Sequence, residues 1–163
     1  MRELYLLNVT VHLLAALLWL GGMFFLAAVG APVLRTVEPP ALRAELFRRL
    51  GERFRGVGWI AIGTLVATGT LNLHFSGVLY RLGEPGFWGT RYGHALAWKL
   101  AAVAAMVAIS AVHDFVLGPR ASSLRPGTPE ALRARSRAAW LARINAMVGL
   151  VVVVAAVRLA RGG

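Results

Sequence analysis

The stretch YGHALAWKLAAVAAMVAISAV, residues 92–112, carries one charged side chain, Lys99. Three further stretches are as poor in charge: residues 4–34 and 56–80 carry none, and residues 138–157 carry only Arg143. Each stretch reaches or exceeds the ~20 residues that a helix needs to cross ~30 Å of hydrocarbon. With 58% hydrophobic residues, the chain is too apolar for an ordinary soluble domain. The sequence therefore predicts an all-α integral membrane protein, a single domain (1–163) that forms an up-down bundle of four transmembrane helices.

Glycine, proline and capping residues set the predicted helix bounds. Helix one is predicted over residues 4–29, helix two over 57–80 and helix three over 92–117, and helix four ends near residue 158. The amphipathic residues 40–54 are predicted to form a short interfacial helix between helices one and two, with Glu45 and Arg49 as an i,i+4 pair. Thr128, followed by Pro129, is predicted to cap the helix that leads into helix four. No internal repeat is apparent in the sequence.

The net charge of +11 suggests nucleic-acid binding, but the positions of the arginines favour a membrane topology. Two connections are rich in arginine, whereas the connection between helices two and three has only Arg81 and Arg91. By the positive-inside rule, both rich connections are predicted to be cytoplasmic and both termini outside, in a bacterial-type cytoplasmic membrane. The charges would then meet anionic lipid headgroups, and nucleic acid is not expected as a partner. The arginines of the rich connections are Arg35, Arg43, Arg48, Arg49, Arg53 and Arg55, then Arg120, Arg125, Arg133, Arg135, Arg137 and Arg143.

Two further features concern whether the first apolar stretch is retained and which metal or redox groups the chain can hold. The first apolar stretch is about twice as long as a signal-peptide core, so it is expected to be retained as a membrane helix. The sequence has no cysteine, which excludes disulfides, cysteine-ligated iron–sulfur clusters and thiolate copper sites.

His12 and His74 are predicted to lie at a similar depth on neighbouring helices, about 12 Å and about 9 Å from the outer ends of helices one and two. Two imidazoles at one depth are what bis-histidine ligation of a haem iron requires. Asn8 and Trp19 share the helix face of His12, and Asn8 is a candidate to orient its ring. The alternative is that each histidine is only a polar residue hydrogen-bonded within the bundle.

Lys99 is predicted to lie about 10 Å inside helix three. No membrane-embedded acid is available to it, so a cofactor carboxylate is a candidate partner; snorkelling to the outer face is the alternative. His94, Arg81 and Arg91 lie near the same end, where the arginines suit haem propionates. Taken alone, the arginines are equally well explained as interfacial residues.

A second candidate metal site is predicted in the inner half of the bundle. Met23, Met106 and Met147 are predicted to approach His113 there. Thioether and imidazole groups suit Cu(I), although methionines in apolar helices more often only pack.

The ordered set of His12, WLGGMFF at residues 19–25, WKL at 98–100, HDF at 113–115 and GPR at 118–120 resembles the CopD-like membrane family, which is associated with copper resistance and uptake. It also resembles the related four-helix HemJ proteins, which bind haem and oxidise protoporphyrinogen. This resemblance implies roles for His12 and Lys99 in haem binding and activity. CopD proteins commonly carry further helices, and His74 departs from the HemJ-like pattern, which favours a bis-histidine cytochrome.

The sequence thus predicts a membrane b-type haem protein, similar to a cytochrome b, that performs electron transfer or small-molecule redox chemistry in the outer half of the bilayer. Haem b would be held by His12 and His74, and a quinol or small molecule would be the redox partner. A CopD-like copper carrier is the alternative, and a HemJ-like protoporphyrinogen oxidase is the second alternative. A homodimer is expected because four helices enclose a haem incompletely.

Overall fold

A computed structural model describes residues 2–125 and 127–161 of the chain. Within these residues all regular structure is helical. Four helical segments are long and apolar enough to cross a membrane, which confirms the predicted class: Arg2–Arg35, Pro40–Phe75, Arg91–Ser123 and Pro129–Ala160.

The helix bounds follow local sequence signals. The helices are α1 (Arg2–Phe25), α2 (Ala31–Arg35), α3 (Pro40–Phe75), α4 (Val78–Arg81), α5 (Arg91–Val112), α6 (Gly118–Ser123) and α7 (Pro129–Ala160). Thr90 and Thr128 cap α5 and α7, since their hydroxyls accept hydrogen bonds from the amides of Gly93 and Ala131 at 3.0 and 3.2 Å. The predicted cap at Thr128 is confirmed.

The second span differs from its prediction at both ends. Residues 40–54 are helical, but they form the first turns of the single 36-residue helix α3 and not a separate interfacial helix. No glycine in a left-handed conformation or internal proline interrupts α3, so the helix continues. The predicted pair of Glu45 and Arg49 is confirmed, at 2.6 Å. At the other end α3 stops at Phe75, because Gly77 adopts a left-handed conformation (φ 72°) that turns the chain into α4.

The long helices pack as two antiparallel pairs, α1 with α3 and α5 with α7, and α1 also contacts α7. One core cluster is formed by Trp19, Ala61, Ile62 and Met106. A second, formed by Val78, Phe87 and Leu96, closes the end of the bundle where α1 begins; we call this the N-terminal end. The opposite end, where α3 and α7 begin, is the Arg-rich end. Most large apolar side chains on the outward faces are exposed, as lipid-facing residues are expected to be.

The two halves of the chain contain the same types of helix in the same order, although no repeat was apparent in the sequence. In each half a long helix passes through a five-residue π-helical turn into a short helix with a proline in its first turn. A loop follows, and a second long helix begins at a proline. The π-helical turns are Leu26–Gly30 and His113–Leu117. Each lies just before a proline that lacks an amide donor, which explains why the hydrogen-bond register shifts there.

This repeat pairs residues of the two halves. The tetrapeptide ALRA occurs at residues 41–44 and again at 131–134. The same number of residues separates Pro32 from Pro119 as separates His12 from Lys99. His12 and Lys99 therefore occupy equivalent positions on the first long helix of each half.

Candidate functional site

A polar network in the N-terminal half of the bundle surrounds His12, between α1 and α3. The Asn8 amide donates hydrogen bonds to the Thr68 carbonyl and to Oδ1 of Asn72, both at 2.9 Å. Nδ1 of His12 lies 2.7 Å from Oγ1 of Thr68. The imidazole packs against α3 at Gly69, where a Cβ would lie 3.4 Å from Cε1 of His12, an ordinary van der Waals contact.

The hydrogen bonds of Thr68 define the tautomer of His12. The Thr68 hydroxyl donates its hydrogen to the Thr64 carbonyl at 2.6 Å. Its oxygen is then an acceptor for Nδ1–H of His12, because a hydroxyl has only one hydrogen to give. Nε2 consequently keeps a lone pair, and no hydrogen bond joins it to another residue in the described ranges. A ring nitrogen anchored by a neighbour while the other is free is the arrangement of metal-ligating histidines.

Lys99 lies in the same half of the bundle as this network. It is half-buried on α5, at the position equivalent to that of His12 on α1. Within the described part of the chain, no carboxylate forms an ion pair with Lys99. The N-terminal half of the bundle therefore contains both an imidazole lone pair, on His12, and an amine, on Lys99.

The structure does not bring His74 to His12 as a facing pair. His74 is exposed, and its Nδ1 lies 3.0 Å from the Tyr80 hydroxyl. It follows Thr68, the residue that meets His12, by six positions, which amounts to about 9 Å along the helix and a rotation of about 120° away from that face. The prediction of a bis-histidine site assumed that helix two extends to residue 80, whereas α3 ends at Phe75, so both the depth of His74 and its helical phase differ from the expectation.

The other residues predicted to surround a haem are spread over several environments. Trp19 is buried in the core, with its indole against Gly58. Arg81 pairs with Glu84 at 3.2 Å and lies over the Phe87 ring. His94 and Arg91 are exposed at the N-terminal end. Of the predicted set, Asn8 shares the polar network of His12 through Thr68, and Lys99 lies in the same half of the bundle on α5.

A second polar cluster lies deeper, where α1, α5 and α7 meet. The Asn145 amide donates hydrogen bonds to Oγ of Ser110 at 2.8 Å and to Sδ of Met23 at 3.5 Å. Met106, one turn before Ser110 on α5, is 1% exposed. Two of the predicted copper ligands, Met23 and Met106, therefore reach the same core.

The other two predicted copper ligands lie elsewhere. Met147 is 65% exposed, because two residues after Asn145 a helix has turned by about 200°. His113 lies on the π-helical turn, where its Nδ1 is 2.9 Å from Oδ1 of Asp114. The Trp59 indole donates to the other oxygen of Asp114 at 3.0 Å. The ring of Phe115 next to Asp114 contacts Trp59 on one side and the Arg55 guanidinium on the other.

Asn145, Ser110, Thr68 and Asn72 were missed as site residues in the sequence. Each is an uncharged polar residue within an apolar helix, and a search for buried hydrogen-bonding groups as well as ionisable ones would have found them. Among the described residues, no three His, Asp or Glu side chains come together as a metal site. The available donors are therefore imidazole, thioether, hydroxyl and amide groups.

This arrangement defines an integral membrane protein of four helices that holds imidazole and thioether donors inside its bundle. The family model for copper resistance protein D, CopD, matches residues 48–159, and the chain belongs to this family. The match begins within α3, so His12 and Met23 precede it. An uncharacterized protein of Aquifex aeolicus (strain VF5) is 31% identical over 163 residues, which cover 99% of this chain and 97% of that protein. No solved structure matches the chain.

Proposed function

We propose that this CopD-family protein binds Cu(I) inside its helix bundle and passes it between the two sides of the membrane. The observation that carries the proposal is the geometry of His12, whose Nδ1 is held by Thr68 while its Nε2 lone pair is free to coordinate an ion. Membership of a family named for copper resistance supports copper as the ion.

The donor set suits Cu(I) better than harder ions. Soft thioethers and imidazoles favour Cu(I), whereas Mg²⁺ and Ca²⁺ need several oxygen ligands. His12 lies in the N-terminal half, Met23 and Met106 lie deeper, and His113 lies near the Arg-rich end. An ion moving through the bundle would meet these donors in that order.

The residues around each donor hold it in place. Thr68 fixes the ring of His12, and Asp114 fixes the ring of His113 through Nδ1. Carboxylate–histidine pairs of this kind orient a metal-binding imidazole and raise its basicity. Water is largely excluded from Met106, since that side chain is 1% exposed.

Copper transfer is tested with the full chain reconstituted into lipid vesicles that contain a Cu(I)-sensitive dye. We expect the wild-type protein to accelerate Cu(I) entry, and His12→Ala to reduce the rate about tenfold or more. His74→Ala is the matched control, since it removes an imidazole from the same half of the bundle but from an exposed position. The proposal fails if the wild-type protein neither binds Cu(I) nor accelerates its entry.

Haem binding is the second candidate, and Lys99 is the observation that favours it. A half-buried lysine in the same half of the bundle as His12, with no carboxylate partner among the described residues, suits a ligand that carries acidic groups, such as the propionates of a porphyrin. Haem binding would require His12 to be an axial ligand of the iron without His74 as the second one. An absorption spectrum of the purified protein distinguishes the two functions, because haem gives a Soret band and Cu(I) does not absorb in the visible range.

A further inference from the structure

Asn145 is a buried amide whose oxygen has no partner. Its side chain is on α7 and is 4% exposed. Nδ2 donates to Ser110 and Met23, but Oδ1 is buried and has no hydrogen-bond partner among residues 2–125 and 127–161. An unsatisfied buried carbonyl oxygen is destabilising, so its presence indicates that a donor or a cation occupies this place when the protein is at work.

The described groups around Asn145 include two soft sulfur donors and one hydroxyl, and the hydroxyl oxygen and one of the sulfurs accept hydrogen bonds from Nδ2. They are the Met23 thioether, the hydroxyl oxygen of Ser110 and, one turn away on α5, the Met106 thioether. A thioether is a weak acceptor for N–H, but it is a good ligand for a soft monovalent cation. The surroundings are apolar, with Trp19 and Ile62 in the same core, so a singly charged ion costs less to bury here than a divalent one.

The cluster also joins the two halves of the chain. Met23 lies as many residues before Pro32 as Ser110 lies before Pro119. These two residues are therefore equivalent positions on α1 and α5, and Asn145 bridges them from α7. A ligand at this place would be held by three helices at once.

From these observations we infer that Met23, Met106, Ser110 and Asn145 form a Cu(I) site, distinct from His12, in the half of the bundle nearer the Arg-rich end. The inference rests on the proposed function, since it names where the transported ion is held between the two membrane sides. The ion would be bound by thioether sulfurs and by Oδ1 of Asn145, with no change in its oxidation state. His113, three residues beyond Ser110 on the chain, would be the next donor towards the Arg-rich end.

The site is tested in the His12→Ala protein, where the first donor is absent. Detergent-purified protein is equilibrated with Cu(I) buffered by a coloured chelator, and bound copper is counted. We expect this protein to keep one Cu(I), with copper–sulfur scattering in its X-ray absorption spectrum. Adding Met23→Leu or Met106→Leu should weaken binding at least tenfold and remove sulfur scattering. Leucine keeps the volume of methionine closely enough for the fold to persist.

Met147→Leu in the same His12→Ala protein is the matched control, because Met147 is exposed, and it should leave binding unchanged. The inference is overturned if the His12→Ala protein holds no copper while the wild type does, or if the Met23 and Met106 variants bind as tightly as the control. In either case the proposed function stands. A wild-type protein that binds no Cu(I) at all overturns both.

Discussion

Nδ1 of His12 and Oγ1 of Thr68 lie 2.7 Å apart across the interface of α1 and α3. The same hydroxyl donates to the Thr64 carbonyl, so the imidazole is the donor in the contact with Thr68. One hydrogen bond within α3 thus determines which nitrogen of a histidine on α1 is free.

The Thr68→Val substitution tests this relationship. Valine keeps the shape of threonine but cannot accept the hydrogen bond from His12, so the ring should lose its orientation. We expect the affinity of the His12 site for Cu(I) to fall by about 10- to 100-fold, as is typical when the partner of a metal-binding histidine is removed. Competition with a Cu(I) chelator measures the change. Thr70→Val is the control, since the Thr70 hydroxyl is exposed and donates to the Val66 carbonyl within its own helix; equal affinities in the two variants would contradict the role of Thr68.

Gly149 on α7 lies directly against the Leu20 side chain of α1. A Cβ at this position would clash with the Leu20 side chain and lie 3.3 Å from Cε of Met106. We expect Gly149→Ala to destabilise the protein by about 1–3 kcal/mol through overpacking. Thermal unfolding in detergent is the measurement. Gly63→Ala, where a Cβ meets nothing within 4 Å, should be neutral or stabilising by up to about 1 kcal/mol; similar losses in both variants would mean that close packing at Gly149 is unimportant.

Trp59 connects the middle of α3 to the π-helical turn that follows α5. Its indole donates to Asp114 at 3.0 Å, and Asp114 also contacts His113. We expect Trp59→Phe to cost about 1–2 kcal/mol of stability, since it removes a hydrogen bond to a charged group that water can replace only in part. Trp98→Phe changes an indole that is 72% exposed and should stay within about 0.5 kcal/mol of the wild type. If the two variants unfold at the same temperature, the Trp59–Asp114 contact does not stabilise the bundle.

The orientation in the membrane can be measured directly, because the chain has no cysteine. Single cysteines at Ser123, near the Arg-rich end, and at Glu84, between α4 and α5, provide two reporters. The positive-inside rule predicts that an impermeant thiol reagent added to intact cells labels Glu84→Cys and not Ser123→Cys. The reverse labelling would place the arginines outside. Broken cells, in which both positions should react, are the control.

The sequence was sufficient to predict the four spans, because the near absence of charge over stretches of about 20 residues leaves few alternatives. It was insufficient for the pairing of His12 with His74. The depth of His74 was counted from a helix end at residue 80, whereas α3 ends at Phe75, and the partner of each helix face depends on how the helices rotate against one another. Met23, Met106 and Met147 were predicted to approach His113; in the structure Met23 and Met106 pack against one core, Met147 lies on the opposite face of α7 from Asn145, and His113 contacts Asp114.

The repeat and the Asn145 cluster needed the structure for different reasons. Few residues apart from the prolines and the ALRA tetrapeptides mark the two halves as alike, because many apolar residues satisfy a lipid-facing position equally well. Asn145 was overlooked because an amide carries no charge, so it does not interrupt an apolar stretch as Lys99 does. Its importance comes from neighbours on two other helices, Met23 and Ser110, which no local pattern reveals.

His12 and Lys99 occupy equivalent positions in the two halves but are different residues, so the bundle is chemically asymmetric at this depth. An assembly of two identical hairpins would be obliged to present the same side chain twice, either two imidazoles or two amines. One continuous chain has no such obligation, and here the two positions hold different chemistry: a neutral electron-pair donor in one half and an amine in the other. A ligand that binds at this depth therefore has an imidazole on one side and an amine on the other, so it can be bound in one orientation and not the reverse.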